Sequence, residues 1–256
     1  MTDTLHLTIT GGVARLAIDR PATRNAFDQA MWERFPLLVE AAMADPAVRV
    51  LVVGGHIPGP FCAGADIGEF ATHAADPVWR ARNNAAIRAT QITLTRAAKP
   101  TLAAIGGDAF GGGLGIAMAC DVRLASPAAR FGMTPAKLGL VYPLHDTKLL
   151  VDAVGASQAK RMLFTARVFN AAEALRIGLI DDVADVLDDA VDDFTSRVVA
   201  LSPATQRAAK AIVRRILDGA SDDDAASAEQ FDSAFDSADF TEGVAAFLAK
   251  RPPRFT

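Results

Sequence analysis

Residues 105–121 read IGGDAFGGGLGIAMACD, with three consecutive glycines at 111–113 ahead of an apolar run at 114–119. Glycine is a poor helix former. It lets the backbone turn tightly and bring bare N–H groups close to a ligand. The first N–H groups of a following helix have no intrahelical partner, and the helix dipole favours negative charge there. A glycine turn opening onto a buried helix can therefore hold an oxyanion or a phosphate. The same glycines also suit a close helix–strand crossing that admits only small residues. The spacing matches neither a P-loop nor G-x-G-x-x-G.

The other reactive residue types are sparse. Cys62 and Cys120 lie in apolar surroundings without C-x-x-C spacing, so neither a disulfide framework nor a zinc site is expected. No metal site is expected. His6 and His56 have no chemical neighbourhood in the sequence, and His73 sits in a polar stretch. The acidic run Asp222-Asp223-Asp224 lies where a helix start would welcome negative charge.

These groups need a scaffold, and 256 residues are enough for one sizeable core. A hydrophobic fraction of 51% with 22% charged residues fits an ordinary globular chain. A net charge of −4 argues against a general nucleic-acid binder, which usually shows a basic face. MTDTLHLTIT lacks a basic-then-apolar signal pattern, and no apolar run approaches the ~18 residues of a membrane span. The expected setting is the cytoplasm, with no membrane partner.

Residues 5–10 and 13–19 flank Gly11-Gly12 and read as a hairpin. Asp28 caps a helix to about residue 43. Strands are expected at 48–54, 100–105, 122–125 and 183–186. Helices are expected at 77–97, 114–119, 146–154, 157–163 and 171–177. From residue 188 onward only helices are expected. Strands alternating with helices predict a mixed sheet with parallel pairs. The change to all-helix suggests two units, 1–187 and 188–256.

FCAGADI at 61–67 and GGGLGIAMACD at 111–121 resemble the enoyl-CoA hydratase/isomerase (crotonase) superfamily. RPATRNAF at 20–27, FGMTPAKLGLVYP at 131–143 and the late FLAKRPPRF also fit, and their order makes the match specific. The resemblance implies an α/β spiral of β-β-α units with a helical C-terminal trimerisation region. It implies a homotrimer or a dimer of trimers, an acyl-CoA thioester as substrate, and no separate cofactor. Two backbone N–H groups would stabilise a thioester enolate oxygen. By the family's pattern these belong to Ala63 and Gly112. The backbone of Ala63, Gly64, Ala65, Asp66 and Ile67 would receive the adenine, although Asp66 also reads as a cap. Arg24 and Lys250 would meet CoA phosphates.

The sequence departs from the hydratase pattern at two positions. Hydratases of this family carry one glutamate two residues after the third glycine, and another after the proline of F-G-x-P-E. Here Gly115 and Pro135 stand there. The segment FGMTPAKLGLVYP resembles the methylmalonyl-CoA decarboxylase branch, which places Thr134 and Tyr142 in the pocket. A histidine that branch can carry in A-G-x-D is Ala65 here. Decarboxylation of a malonyl-type thioester suits a pocket without a base, because departing CO₂ itself generates the enolate. Leu138, Leu140 and Val141 would wall such a pocket. His145-Asp146 reads either as a helix cap with its neighbour or as a proton donor beside the acyl group. The open alternatives are a hydratase or isomerase using His145 or water, and a CoA-ester binder without turnover.

Overall fold

The structure, a computed structural model, describes residues 4–255; residues 1–3 and 256, at the outer ends of the two expected units, lie outside the described residues. Strands β1 (Leu5–Thr10) and β2 (Val13–Ile18) form the expected hairpin. Its turn uses Gly11 and Gly12 at φ 57° and 84°, the paired positive φ of a type I′ turn. Helix α1 (Gln29–Ala44) starts where the Asp28 carboxylate accepts from the Met31 N–H, and buries Trp32, Phe35 and Val39 along one face. Next come β3 (Val50–Gly55), α2 (Ile67–His73) and α3 (Pro77–Thr95), and α3 packs on α1.

The chain then builds the same unit twice. Strand β4 (Thr101–Ile105) joins the large sheet, β5 (Ala109–Phe110) leaves it, and α4 (Gly112–Ala119) follows. Strand β6 (Val122–Ala125) joins the large sheet, β7 (Arg130–Gly132) leaves it, and α5 (Pro135–Leu138) and α6 (Leu144–Thr165) follow. Then come β8 (Phe169–Asn170), α7 (Ala171–Arg176) and β9 (Asp182–Val183). The large sheet runs β1-β2-β3-β4-β6-β9, parallel beyond the first hairpin, and a small sheet runs β5-β7-β8. This is the crotonase fold. Strand β4 is buried along its whole length, as a central parallel strand covered on both faces should be.

Besides the four-residue α5, three features were not read from sequence. Helix α2 is short and buries no residue, so it carries no periodic signal. The small sheet is built from strands of two or three residues, below what alternation can reveal. Helix α6 runs on past Gly155, whose φ of 75° and ψ of 161° kink it between the two helices expected there.

Helices α8 (Leu187–Ala200), α9 (Pro203–Leu217), α10 (Ala225–Phe235) and α11 (Ala238–Leu248) close the chain. Leu187 and Val191 of α8 cover Val52, Leu102 and Leu124 of the large sheet. Helices α9 and α10 bury no residue, and Ile216, Phe231, Phe247 and Leu248 are exposed.

The tightest crossing lies between Gly113 and the loop before α2. A Cβ on Gly113 would stand 2.3 Å from the Cys62 carbonyl oxygen, which already accepts from the Phe110 N–H. Gly243, inside α11, would meet only Phe255 at 3.9 Å. Gly113→Ala should therefore destabilise by about 1–3 kcal/mol or more. Gly243→Ala should be neutral or stabilising by roughly 0.5–1 kcal/mol. Thermal melts of the two variants check this; an unchanged Tm for Gly113→Ala would refute it.

Candidate active site

The glycine turn meets the loop 62–66, and the turn 20–27 fixes that loop. Arg24 and Asn25 both have positive φ, which Asn tolerates better than most residues. The Asn25 side chain accepts from the Arg20 N–H at 2.9 Å and donates to the Pro60 carbonyl at 2.8 Å. The Arg20 guanidinium donates to Asp66 Oδ2 at 2.7 Å and to the Ala26 carbonyl at 2.9 Å. That partner holds the Asp66 carboxyl below the usual carboxylate range. Asp66 also caps α2 through the Gly68 N–H at 2.9 Å.

Backbone alternation then decides which amides of the loop are free. Phe27 donates to the Gly64 carbonyl and accepts from the Asp66 N–H, both at 2.8 Å. Gly64 and Asp66 thus spend these groups on the turn, and Ala65 points its N–H the opposite way. Among the described residues no backbone acceptor takes the Ala65 amide. It lies 3.9 Å from the point where a Gly112 Cβ would stand. Gly64 makes this approach possible at φ 98°, since a Cβ there would sit 2.9 Å from the Phe110 carbonyl oxygen and 3.3 Å from the Gly112 nitrogen. Gly112 is the first residue of α4, so its own N–H has no intrahelical acceptor. Two free amides, of Ala65 and Gly112, therefore flank one small gap.

Polar side chains gather beside that gap. The Tyr142 hydroxyl lies 3.2 Å from where a Gly111 Cβ would be. Asp146, in the first turn of α6, is 6% exposed. Gln91 of α3, 1% exposed, donates its amide to Asp146 Oδ1 in a short hydrogen bond. His145 Nε2 is 3.4 Å from Asp146 Oδ2. Gly115 makes room for this cluster: a Cβ there would stand 2.6 Å from Gln91 Nε2 and 3.6 Å from Asp146 Oδ1. Burial pushes the Asp146 carboxyl above the usual carboxylate range, while the Gln91 amide and His145 pull it part-way back. Burial, with the Asp146 charge, pushes the Tyr142 phenol up to about 12, so it stays protonated at neutral pH. The buried Cys62 and Cys120 thiols are also pushed to about 12 and are inert. The described residues hold no cluster of three or more metal-ligating side chains and no helix long and apolar enough to cross a membrane.

Residues 8–256 match the profile of the enoyl-CoA hydratase/isomerase family. The chain belongs to that family. It is 35% identical over 249 residues to the crotonyl-CoA hydratase of Syntrophomonas wolfei, covering 95% of this chain and 94% of that protein. It is 32% identical over 255 residues to the mitochondrial methylglutaconyl-CoA hydratase of Mus musculus, covering 95% of this chain and 79% of that one. A crystal structure of an enoyl-CoA hydratase/isomerase family protein from Hyphomonas neptunium superposes with a TM-score of 0.96. It is 39% identical and covers 100% of this chain and 98% of its own.

Family membership leaves the individual residues to geometry, which corrects the sequence reading in four places. The Ala63 N–H is bonded to the Arg24 carbonyl at 3.0 Å and is not free to meet an oxyanion, whereas the Ala65 amide is free. The pocket is not free of carboxylates. Asp146 turns inward, and no side chain caps α6. Leu138, Leu140 and Val141 are 54%, 45% and 92% exposed in the chain, so the apolar wall expected of them stands open to solvent. The structure brings together Gly112, Tyr142 and His145, and adds Gln91, which the sequence reading left out. Thr134 is half-buried with no side-chain capping bond, and Ile67 is 53% exposed. Arg24 and Lys250 are exposed and make no side-chain hydrogen bond or ion pair with these pocket groups among the described residues.

Asp146 sits there at a cost in stability. A carboxyl whose folded pKa is raised contributes stability that is complete below its unfolded value and lost as pH rises through the folded one. Asp146→Asn keeps the acceptor for Gln91 and removes the charge. The variant should melt above the native protein at pH 8, and the gain should shrink as pH falls toward 4. Melts across that window check the sign; a gain that grows on acidification would contradict the raised carboxyl.

Proposed function

We propose that this protein binds an acyl-CoA thioester, stabilises its enolate, and moves a proton next to the thioester carbonyl, as an enoyl-CoA hydratase or isomerase does. The observation that carries this reading is the pair of free amides of Ala65 and Gly112 at the N-terminus of α4. A carbonyl oxygen in that gap accepts two N–H bonds, which strengthen as charge moves onto it in the transition state. Both amides belong to a backbone fixed before substrate arrives. The relatives named above are hydratases, which agrees with this class. The loop 63–67 would take the adenine, and Arg24 and Lys250 the CoA phosphates.

Decarboxylation of a malonyl-type thioester is a second reading. It is favoured by the Tyr142 hydroxyl beside Gly111 and by the missing glutamates at Gly115 and Pro135. The buried Asp146 weakens it, since an ionised carboxylate would repel the substrate's own.

Mass spectrometry of CoA esters incubated with the protein in heavy water separates the readings. Crotonyl-CoA gaining water, or but-3-enoyl-CoA isomerising to crotonyl-CoA, is the expected result. Loss of CO₂ from methylmalonyl-CoA as the dominant reaction would overturn it, and binding without turnover would leave a thioester-binding protein. Gly112→Pro removes one donor; its Cβ would stand 3.0 Å from the Trp32 ring, so the ring must give way, and a folded variant should show turnover cut by ~10²–10³ while the CoA ester still binds.

Self-association belongs to the same reading. The exposed apolar residues of α9 to α11, Phe231, Phe247 and Leu248 among them, favour a helical contact between copies. Light scattering at micromolar concentration should report at least a trimer, and a monomer would refute this part.

A further inference from the structure

Gly115, Gln91 and Asp146 form one interlocked arrangement. A side chain at 115 would collide with the Gln91 amide, which occupies that space and reaches Asp146 Oδ1. Gln91 Oε1 and His145 Nε2 are buried and have no hydrogen-bond partner among the described residues; the Asp146 carboxylate, 3.4 Å from Nε2, lies outside hydrogen-bond geometry. Buried polar atoms are rarely left unpaired in a finished structure, because each loses its hydration without compensation. Two such atoms flank one buried carboxylate beside the glycine turn, so the cluster is built for a guest that brings hydrogen-bonding groups.

We propose that Asp146, presented from α6, is the catalytic residue that takes and returns the substrate proton, and that Gln91 is the positioning residue that holds it. This rests on the enolate reading above and names the group that moves the proton. With a 3-enoyl thioester, an Asp146 carboxylate oxygen removes a proton from C2. The C–H electron pair becomes the C1–C2 π bond, and the carbonyl pair moves onto the thioester oxygen between the Ala65 and Gly112 amides. The oxygen pair then re-forms the carbonyl, the double bond shifts to C2–C3, and C4 takes the proton back from Asp146. One carboxylate serves both halves, and no water, oxidant or second acid is consumed. The oxyanion is met by α4 and the proton by α6, so oxyanion binding and proton transfer are assigned to separate helices.

The acid limb of the rate profile reports Asp146 directly. The titratable groups facing it are Tyr142 and His145, both from the stretch entering α6. Helix α3 supplies the neutral Gln91, and α4 supplies only Gly115. The Gln91 hydrogen bond lowers the Asp146 pKa. Removing it should therefore move the limb to higher pH, because the base must be ionised to act.

The test measures conversion of but-3-enoyl-CoA to crotonyl-CoA across pH. Asp146→Asn should lower kcat by ~10²–10⁴, the usual worth of a positioned acid–base group, with the dissociation constant for butyryl-CoA essentially unchanged. Gln91→Ala should lower kcat more than it raises KM and shift the acid limb upward, and Gln91→Asn should restore part of both. A merely structural Gln91 would leave the limb in place. Near-native turnover by folded Asp146→Asn overturns the proposal while the enolate reading stands. A native protein that hydrates crotonyl-CoA but is inert toward but-3-enoyl-CoA overturns the shuttle alone. A native protein inert toward every thioester overturns both.

Discussion

The site depends on one close contact, the crossing of α4 over the loop 62–66. Gly113 lies so near the Cys62 carbonyl that no side chain fits between them. That contact brings the Gly112 nitrogen beside Gly64 and Ala65, and the bonds from Phe27 to Gly64 and from Asp66 to Phe27 set the loop's rotation. With the register fixed, the Ala65 amide faces Gly112 and the Ala63 amide faces Arg24. A slip of two residues in that loop would bring Ala63 to the place of Ala65. The buried parallel strands hold both elements, so the position of two N–H groups is inherited from the packing of the large sheet.

Much of the fold was legible because its parts are long and regular. The Gly11-Gly12 hairpin, the apolar strands and the helices from 188 onward follow from turn chemistry and periodicity. What escaped was short or non-local. Strands β5, β7 and β8 hold two or three residues each, and their pairing is set by chain segments far apart in sequence. Helix α2 has no buried face to read.

The site was legible at its backbone centre and illegible at its side chains. Three glycines before an apolar run point to exposed amides whatever the fold, and Gly112 is where they lead. Ala63 and Ala65 share one parity, and choosing between them required knowing that 65 bridges to Phe27 while the Ala63 N–H is spent on Arg24, which a motif string does not carry. Asp146 sits in the first turn of its helix, where an acidic residue fits as a cap, and that local explanation hid it. One signal did exist. Gly115 removes a side chain from the middle of a buried helix, and in a close-packed interior something else must fill the space. Gln91, which shares the buried face of α3 with the polar Asn83 and Thr90, supplies it.

On the proposed reading, a carboxylate can move between helices because two requirements of thioester chemistry are met by different kinds of group. The oxyanion needs donors fixed to a fraction of an ångström, and only the backbone of a tight crossing provides them at no side-chain entropy. The proton needs a titratable group within reach, and any element lining the gap can provide one. The Gly113–Cys62 contact pins the first requirement and tolerates no variation. The second is free to migrate wherever burial and a hydrogen-bond partner can hold a carboxyl, at the expense of stability that a raised pKa records. In this chain the amides stay on α4 and the loop before α2. The charge instead enters from α6, and Gln91 on α3 fills the space left by the absent side chain at 115.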